Sequence, residues 1–407
     1  MSLPRLLASE HLHDVKYEIR GALARRADEL EREGHDIVKL NIGNPGAFGF
    51  RMPASMRVAM VQNMHQADPY SHQKGIFPAR EAVVMQQQDR GVMDVTAHDV
   101  FIGNGVSELI MLTMRALLNP GDEVLVPSPD YPLWTASVVI HGAKAVHYPC
   151  RPERAFVPDV EEVRALITSK TRAIVVINPN NPTGAVYPEE VLKQLAALAE
   201  EHGLVMCADE IYDEMLYEGA CYVPMATLAR QTLCLTFAGL SKIYRACGLR
   251  VGWVTFSGER AHAKDYIDAV ELLASLRLCS NVPGQFAVQT ALGGHQSIFD
   301  LTEPGGRLFE TRRAILEAVA SSRYLSVVPP RGAMYAFIRV KSELLKQPFD
   351  DRAFALDLLE QKHVLVAPGS SFNVPYRDHF RTTLLPDAEL TRDVMGRIDD
   401  QLHELRR

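Results

Sequence analysis

Between about residue 98 and residue 255 the apolar positions fall into short unbroken runs, at 100–102, 123–126, 172–178, 204–209, 233–237 and 251–255. Helical stretches with an apolar stripe separate many of them, among them 107–118 and 189–202. Strands that are apolar on both faces and alternate with helices predict a mostly parallel sheet covered on both sides. Ligands of such sheets gather at the loops beyond the strand ends. Outside this stretch the texture changes. Val15, Ile19, Leu23, Ala27 and Leu30 share one side of a helix expected over 15–33, which Gly34 ends. A short strand over 38–42 then runs into a turn. Gly305-Gly306 opens a long helix, and 332–337 reads as a strand.

The chain has 407 residues, enough for two or three domains, and 47% hydrophobic residues with 23% charged suit a globular protein with a sizeable core. A large domain is expected over 51–299, and a smaller one built from both termini over 1–50 and 300–407. The formal net charge of -7 carries no long single-sign run, which argues against a nucleic-acid partner. Six cysteines stand singly, with no metal-ligand spacing, so reduced cysteines packed as small hydrophobes, no metal and a cytoplasmic protein are expected. The first residues lack the apolar stretch of a signal peptide. No run reaches the roughly 18–20 apolar residues of a membrane span.

Candidate chemistry sits at the predicted strand ends. Leu240-Ser241-Lys242 follows the run at 233–237, with Arg250 eight positions further on. A lysine that attacks an aldehyde needs a neutral amine, which a partly desolvated strand end favours; a permanently charged arginine suits a phosphate. Alone, such a pair is the composition of an ordinary surface turn; its neighbours give it weight. Asp209 ends the run at 204–209, where an aspartate is either a helix cap or a partner for a protonated ring nitrogen. Tyr212 is a hydroxyl donor three positions later. Asn178-Pro179-Asn180-Asn181-Pro182-Thr183-Gly184 makes a rigid turn with more asparagines than a turn needs. Gly103-Asn104-Gly105-Val106-Ser107-Glu108 begins like a dinucleotide fingerprint, but Glu108 stands where the third glycine belongs. What remains is a helix N-terminus after glycines, with free N–H groups for a phosphate at Gly105, Val106 and Ser107. In the loop 127–134, either Tyr131 or Trp134 can lie on a planar ring, and Trp134 equally suits the core.

Taken together, Asn181-Pro182-Thr183-Gly184, Asp209 with Tyr212, and Ser241-Lys242 with Arg250 resemble the class I/II aminotransferases, pyridoxal-phosphate (PLP) enzymes of fold type I. Each motif is weak alone; their order and spacing are specific, and the likeness runs from Asn41-Ile42-Gly43 to Phe380-Arg381. Lys39 to Pro45, Ile102 to Leu109 and Pro127 to Thr135 resemble bacterial alanine (glutamate–pyruvate) aminotransferases. The resemblance implies an α/β fold, a large mostly parallel domain plus a smaller α+β one, and PLP as cofactor. It makes Lys242 the Schiff-base lysine and acid/base, Asp209 the partner of the pyridine nitrogen, and Tyr212 and Asn181 partners of the ring oxygen. Tyr131 would stack on the ring. Arg250, Ser241 and the N–H groups of Gly105, Val106 and Ser107 would hold the phosphate, joined by Tyr70 from a neighbouring subunit of a homodimer with shared active sites. Arg381, Gly43 and Asn181 would bind the substrate carboxylate. Gly239 departs from the pattern, since many relatives carry a hydroxyl there.

The activity so implied is a ping-pong transfer of an amino group from an L-amino acid, alanine foremost, to a 2-oxo acid, 2-oxoglutarate foremost. Tyr17 and Arg20 are candidates for meeting a second carboxylate. Two other readings use the same residues. A carbon–sulfur lyase shares the cofactor groups, and a PLP-binding regulatory module needs a DNA-binding segment for which the pattern, beginning near residue 15, leaves no room.

Overall fold

The computed structural model describes residues 6–9, 12–13, 15, 21–346 and 348–405. A two-residue strand, β1 (Val38–Lys39), precedes seven strands of one sheet: β2 (Val100–Gly103), β3 (Glu123–Ser128), β4 (Lys144–Pro149), β5 (Thr171–Ile177), β6 (Val205–Asp209), β7 (Leu233–Gly239) and β8 (Gly252–Gly258). Their order is β2-β8-β7-β6-β5-β3-β4, and only β8 runs against the rest. The six strands predicted for this sheet all appear, within a residue or two except at the end of β8, while the short strand expected over 38–42 stops at Lys39. The run at 144–149 was missed because β4 lies at the sheet edge and is mostly half-buried, so it lacks the unbroken apolar signature.

Residues on the two sides of the sheet feed different clusters. Leu125, Ile174, Val176 and Met206 pack under the helix Glu189–His202. Val124, Ala173, Val175 and Cys207 pack on the other face with the helix Val106–Leu117. The helix Glu189–His202 shows why these stretches fold locally. Two glutamates open it, a histidine closes it, and Gly203 takes the left-handed conformation that stops it, at φ 61°.

A second sheet is made of β9 (Leu325–Val327), β10 (Tyr335–Val340), β12 (Ala367–Pro368) and β13 (His379–Thr383), all antiparallel, in the order β12-β13-β10-β9, while β11 (Val364–Leu365) pairs with β1. That last pair ties the N-terminal segment to the C-terminal part of the chain. Trp253 of the large sheet and Tyr335, Ile338 and Phe380 of the smaller one share a single core cluster.

Three further expectations need correction. The strand expected at 332–337 begins at Tyr335, because Ala333, at φ 60°, is still turning. The first helix runs over Ala22–Arg32, with Ala27 and Leu30 buried; Ile19, Tyr17 and Arg20 lie outside the described residues. All six cysteines are free, but the expected core packing holds fully for Cys150, Cys207 and Cys234, whereas Cys221 is exposed. Among the described residues no helix is long and apolar enough to cross a membrane.

Candidate active site

Strands β2, β3, β5, β6 and β7 point the same way, so the loops after them open on one edge of the sheet. There a cavity of about 690 Å³ is lined by Val106 and Ser107, Tyr131, Asn181, Asp209 and Tyr212, and Ser241, Lys242 and Arg250. Further wall comes from Asn41 to Asn44 and from the smaller sheet, through Tyr335 and Arg381. Lys242 and Arg250 share this edge because they sit on one connection between antiparallel neighbours, β7 and β8.

Asp209 is 2% exposed. Trp134 Nε1 donates to its Oδ2 at 2.9 Å, and Oδ1 has no hydrogen-bond partner among the described residues. Burial pushes the carboxyl up to about 6, while the Trp134 and Ile211 N–H groups pull it partly back. A buried acceptor with an open lone pair on a cavity wall is costly unless something protonated meets it. The pyridinium nitrogen of PLP is such a group. Trp134 therefore neither stacks on a ligand nor merely fills the core; it orients Asp209.

The end where a phosphate is expected is equally specific. Gly105 precedes the helix Val106–Leu117 at φ 84°, and a Cβ there would overlap the Arg250 guanidinium. Arg250, exposed and at φ 52°, donates to the carbonyls of Cys247 at 3.1 Å and Asn104 at 3.3 Å. Glu108, the residue that broke the dinucleotide fingerprint, accepts from the Asn104 N–H at 2.7 Å and its Nδ2 at 3.0 Å, and pairs with Arg277 at 3.2 Å. It fixes the loop that leads to Val106 and Ser107 on the cavity wall. The departure at Gly239 also has a cause. A Cβ there would lie 2.8 Å from Gly252 Cα and Val251 O, so no hydroxyl-bearing residue fits between β7 and β8.

At the opposite end Arg381 is 2% exposed. It donates to Asn181 Oδ1 at 2.8 Å and to the Asn41 carbonyl, and its guanidinium lies 4.3 Å from the Tyr335 ring and 4.7 Å from that of Phe372. Lys242 Nζ donates to the Gly43 carbonyl at 2.6 Å. The asparagine-rich turn divides its labour. Asn178 Oδ1 accepts from the Tyr187 N–H at 2.9 Å, Asn180 Oδ1 accepts from the Thr183 hydroxyl at 2.7 Å, and Asn181 is left for Arg381. Behind Tyr131, Asp130 is fully buried and pushed up to about 7 by that burial. It accepts from Asn373 Nδ2 at 2.9 Å and from the Thr135 hydroxyl at 2.5 Å, tying the Tyr131 loop to the segment beside Phe372.

Of the site residues singled out in the sequence, two do not line the cavity: Tyr70 is 76% exposed, and Gly105, expected to offer a free N–H, already donates it to the Gly103 carbonyl at 2.8 Å. Tyr335, Asn41, Glu108 and Asp130 were not foreseen. Glu108 was visible as an anomaly; Tyr335 lay in a predicted strand with nothing to mark its facing.

The aminotransferase class I and II family model matches residues 35–398. Glutamate-pyruvate aminotransferase AlaA of Escherichia coli K12 is 48% identical over 400 residues, 98% of either chain. An alanine aminotransferase of Mycobacterium tuberculosis is 48% identical over 392 residues, 96% of this chain and 90% of that one. A crystal structure of an Escherichia coli aminotransferase superposes with a TM-score of 0.97 at 46% identity, covering 99% of this chain and 100% of the other. These relatives are named as aminotransferases, and none of the three as a lyase. The chain belongs to the class I and II aminotransferases, pyridoxal-phosphate-dependent enzymes of fold type I.

Proposed function

We propose that this aminotransferase moves the amino group of L-alanine to 2-oxoglutarate, and that of glutamate to pyruvate, through two half-reactions in one cavity. The observation that carries the site assignment is the buried, unpartnered Asp209 oxygen on a wall shared with Lys242 and Arg381. The substrate pair rests on the likeness to the glutamate-pyruvate and alanine aminotransferases.

When bound, PLP supplies an aldehyde that condenses with amines and a ring that withdraws electrons from the substrate α-carbon. Asp209 would hold a proton on the ring nitrogen. Asn181, whose carbonyl oxygen accepts from Arg381, would offer its NH₂ to the ring oxygen, and Tyr212 its hydroxyl. Tyr131 would cover one face of the ring. Arg250, the Ser241 hydroxyl and the N–H groups of Val106 and Ser107 would hold the phosphate. Lys242 Nζ would take the α-proton and return it two atoms along, a 1,3-shift on one face. Arg381 would exchange the Asn41 carbonyl for the substrate carboxylate, with the Gly43 backbone closing over it.

The same reading gives a cytoplasmic homodimer, with a small domain over 1–50 and 300–407 on a large one over 51–299. Tyr70 would reach the other subunit's phosphate. Val58, Val61, Leu272 and Leu276, apolar and 52%, 68%, 61% and 73% exposed, supply surface for that contact. A fully active monomer in sedimentation would refute it.

The central experiment incubates the protein with L-alanine and 2-oxoglutarate and follows pyruvate and glutamate together. Equal appearance of both is expected. Ammonia and pyruvate from cystathionine, without transfer from alanine, would indicate the lyase. Lys242→Ala should lower turnover by at least about 1,000-fold; near-normal turnover would sink the assignment.

A further inference from the structure

Strand β10 carries into the cavity a tyrosine that the roles above leave unused. Tyr335 is 2% exposed, and its hydroxyl lies 3.0 Å from that of Tyr212, with the two rings edge to face at 5.8 Å. Its ring also lies 4.3 Å from the Arg381 guanidinium. A Cβ at Gly43 would overlap the Tyr335 hydroxyl, so the backbone whose carbonyl accepts from Lys242 rests against it. One side chain thus touches the Tyr212 hydroxyl, the Arg381 guanidinium and the Gly43 segment.

A hydroxyl has one proton to donate and can accept as well. Burial and the neighbouring Tyr335 hold the Tyr212 phenol well above its ordinary range, so Tyr212 keeps its proton. When Tyr335 donates to the Tyr212 oxygen, the Tyr212 proton is left for another acceptor, and a hydroxyl that accepts a hydrogen bond is a stronger donor. An arginine beside an aromatic ring keeps its plane, which two-point binding of a carboxylate requires.

We propose that Tyr335 is a positioning residue for the transamination: its hydroxyl directs the Tyr212 proton to the cofactor's ring oxygen, while its ring sets the plane of Arg381 for the substrate carboxylate. This rests on the reading of Tyr212 as a donor to that oxygen. The clamp on the substrate and the acid–base state of the cofactor are then tuned by a single side chain. A weakened donor leaves more negative charge on the ring oxygen, which holds the proton on the neighbouring lysine nitrogen more tightly.

The test uses the holoenzyme and the variants Tyr335→Phe, Tyr335→Leu, Tyr212→Phe and the double Tyr212→Phe/Tyr335→Phe. Each is titrated through the cofactor's visible absorbance without substrate, then assayed for kcat and KM with alanine. Tyr335→Phe should move the titration midpoint to higher pH and lower kcat about three- to tenfold, with KM for alanine within about twofold. Tyr212→Phe should move the midpoint further, and the double variant should match Tyr212→Phe alone. Tyr335→Leu should in addition raise KM about five- to twentyfold. General loosening would lower the unfolding temperature and kcat without moving the midpoint, and that result overturns the proposal. So does a midpoint that moves in Tyr212→Phe but not in Tyr335→Phe, or a double variant that sums the two. A midpoint unmoved by Tyr212→Phe overturns the role given to Tyr212 itself, and this proposal with it.

Discussion

Arg381 and Arg250 both face the cavity, yet the chain houses them in opposite ways. Arg381 is buried between Tyr335 and Phe372 and already donates to Asn181 and Asn41. Arg250 is exposed, held by its left-handed backbone and by two long carbonyl contacts. The difference follows from solvation. A guanidinium taken out of water is destabilising by several kcal/mol unless neighbours meet its N–H groups, whereas an exposed one is hydrated and screened. The proposed carboxylate clamp is therefore arranged before its anion arrives. The proposed phosphate end is instead completed by the ligand. A substrate that leaves every turnover benefits from the first arrangement, while a resident cofactor tolerates the second.

The largest test of this contrast is Arg381→Leu. It should lower kcat/KM for alanine by roughly 100- to 1,000-fold, the scale of losing a buried hydrogen-bonded charge pair, while cofactor affinity stays within about threefold. Equal losses in both measurements would show that the two ends do not act separately. Arg250→Ala should do the reverse. The cofactor dissociation constant should rise about 10- to 30-fold at low salt, and the gap to the unaltered enzyme should narrow as salt is added, with KM for alanine little changed. A salt-independent effect would mean that Arg250 is less hydrated than its exposure indicates.

How far these two ends could be read from sequence differs in the same way. The proposed phosphate end is local: Val106 and Ser107 are consecutive, and Lys242 and Arg250 share one loop, so each shows as a short motif that its neighbours then give weight. The clamp is assembled from Asn41, Asn181, Tyr335, Phe372 and Arg381, brought together by pairing of β10 with β13 and by the approach of the N-terminal segment. No periodicity encodes such a meeting. Arg381 was named through family resemblance, and the aromatic rings beside it were not named at all. The parallel sheet was legible because runs buried on both faces have a signature, which β4, mostly half-buried, lacks.

A third charge sharpens the contrast through stability rather than binding. Asp209 is as buried as Arg381, but one of its oxygens lacks the internal partners that make burial tolerable. Its carboxyl stands at about 6 in the folded chain, against about 3.8 for an ordinary aspartate. Between those values the folded protein keeps a proton that the unfolded chain releases. Stability of the cofactor-free protein therefore falls as pH rises through that window and levels off above it. Asp209→Asn cannot titrate, so its unfolding temperature relative to the unaltered apoprotein should climb from pH 4 to pH 7 by a few degrees, for a term of about 3 kcal/mol at most. Adding PLP should reverse the ranking, because a protonated ring nitrogen meets the open oxygen in the unaltered protein and not in the variant. A difference that stays flat with pH would mean that the free protein already satisfies this charge, and that Asp209 and Arg381 are housed alike.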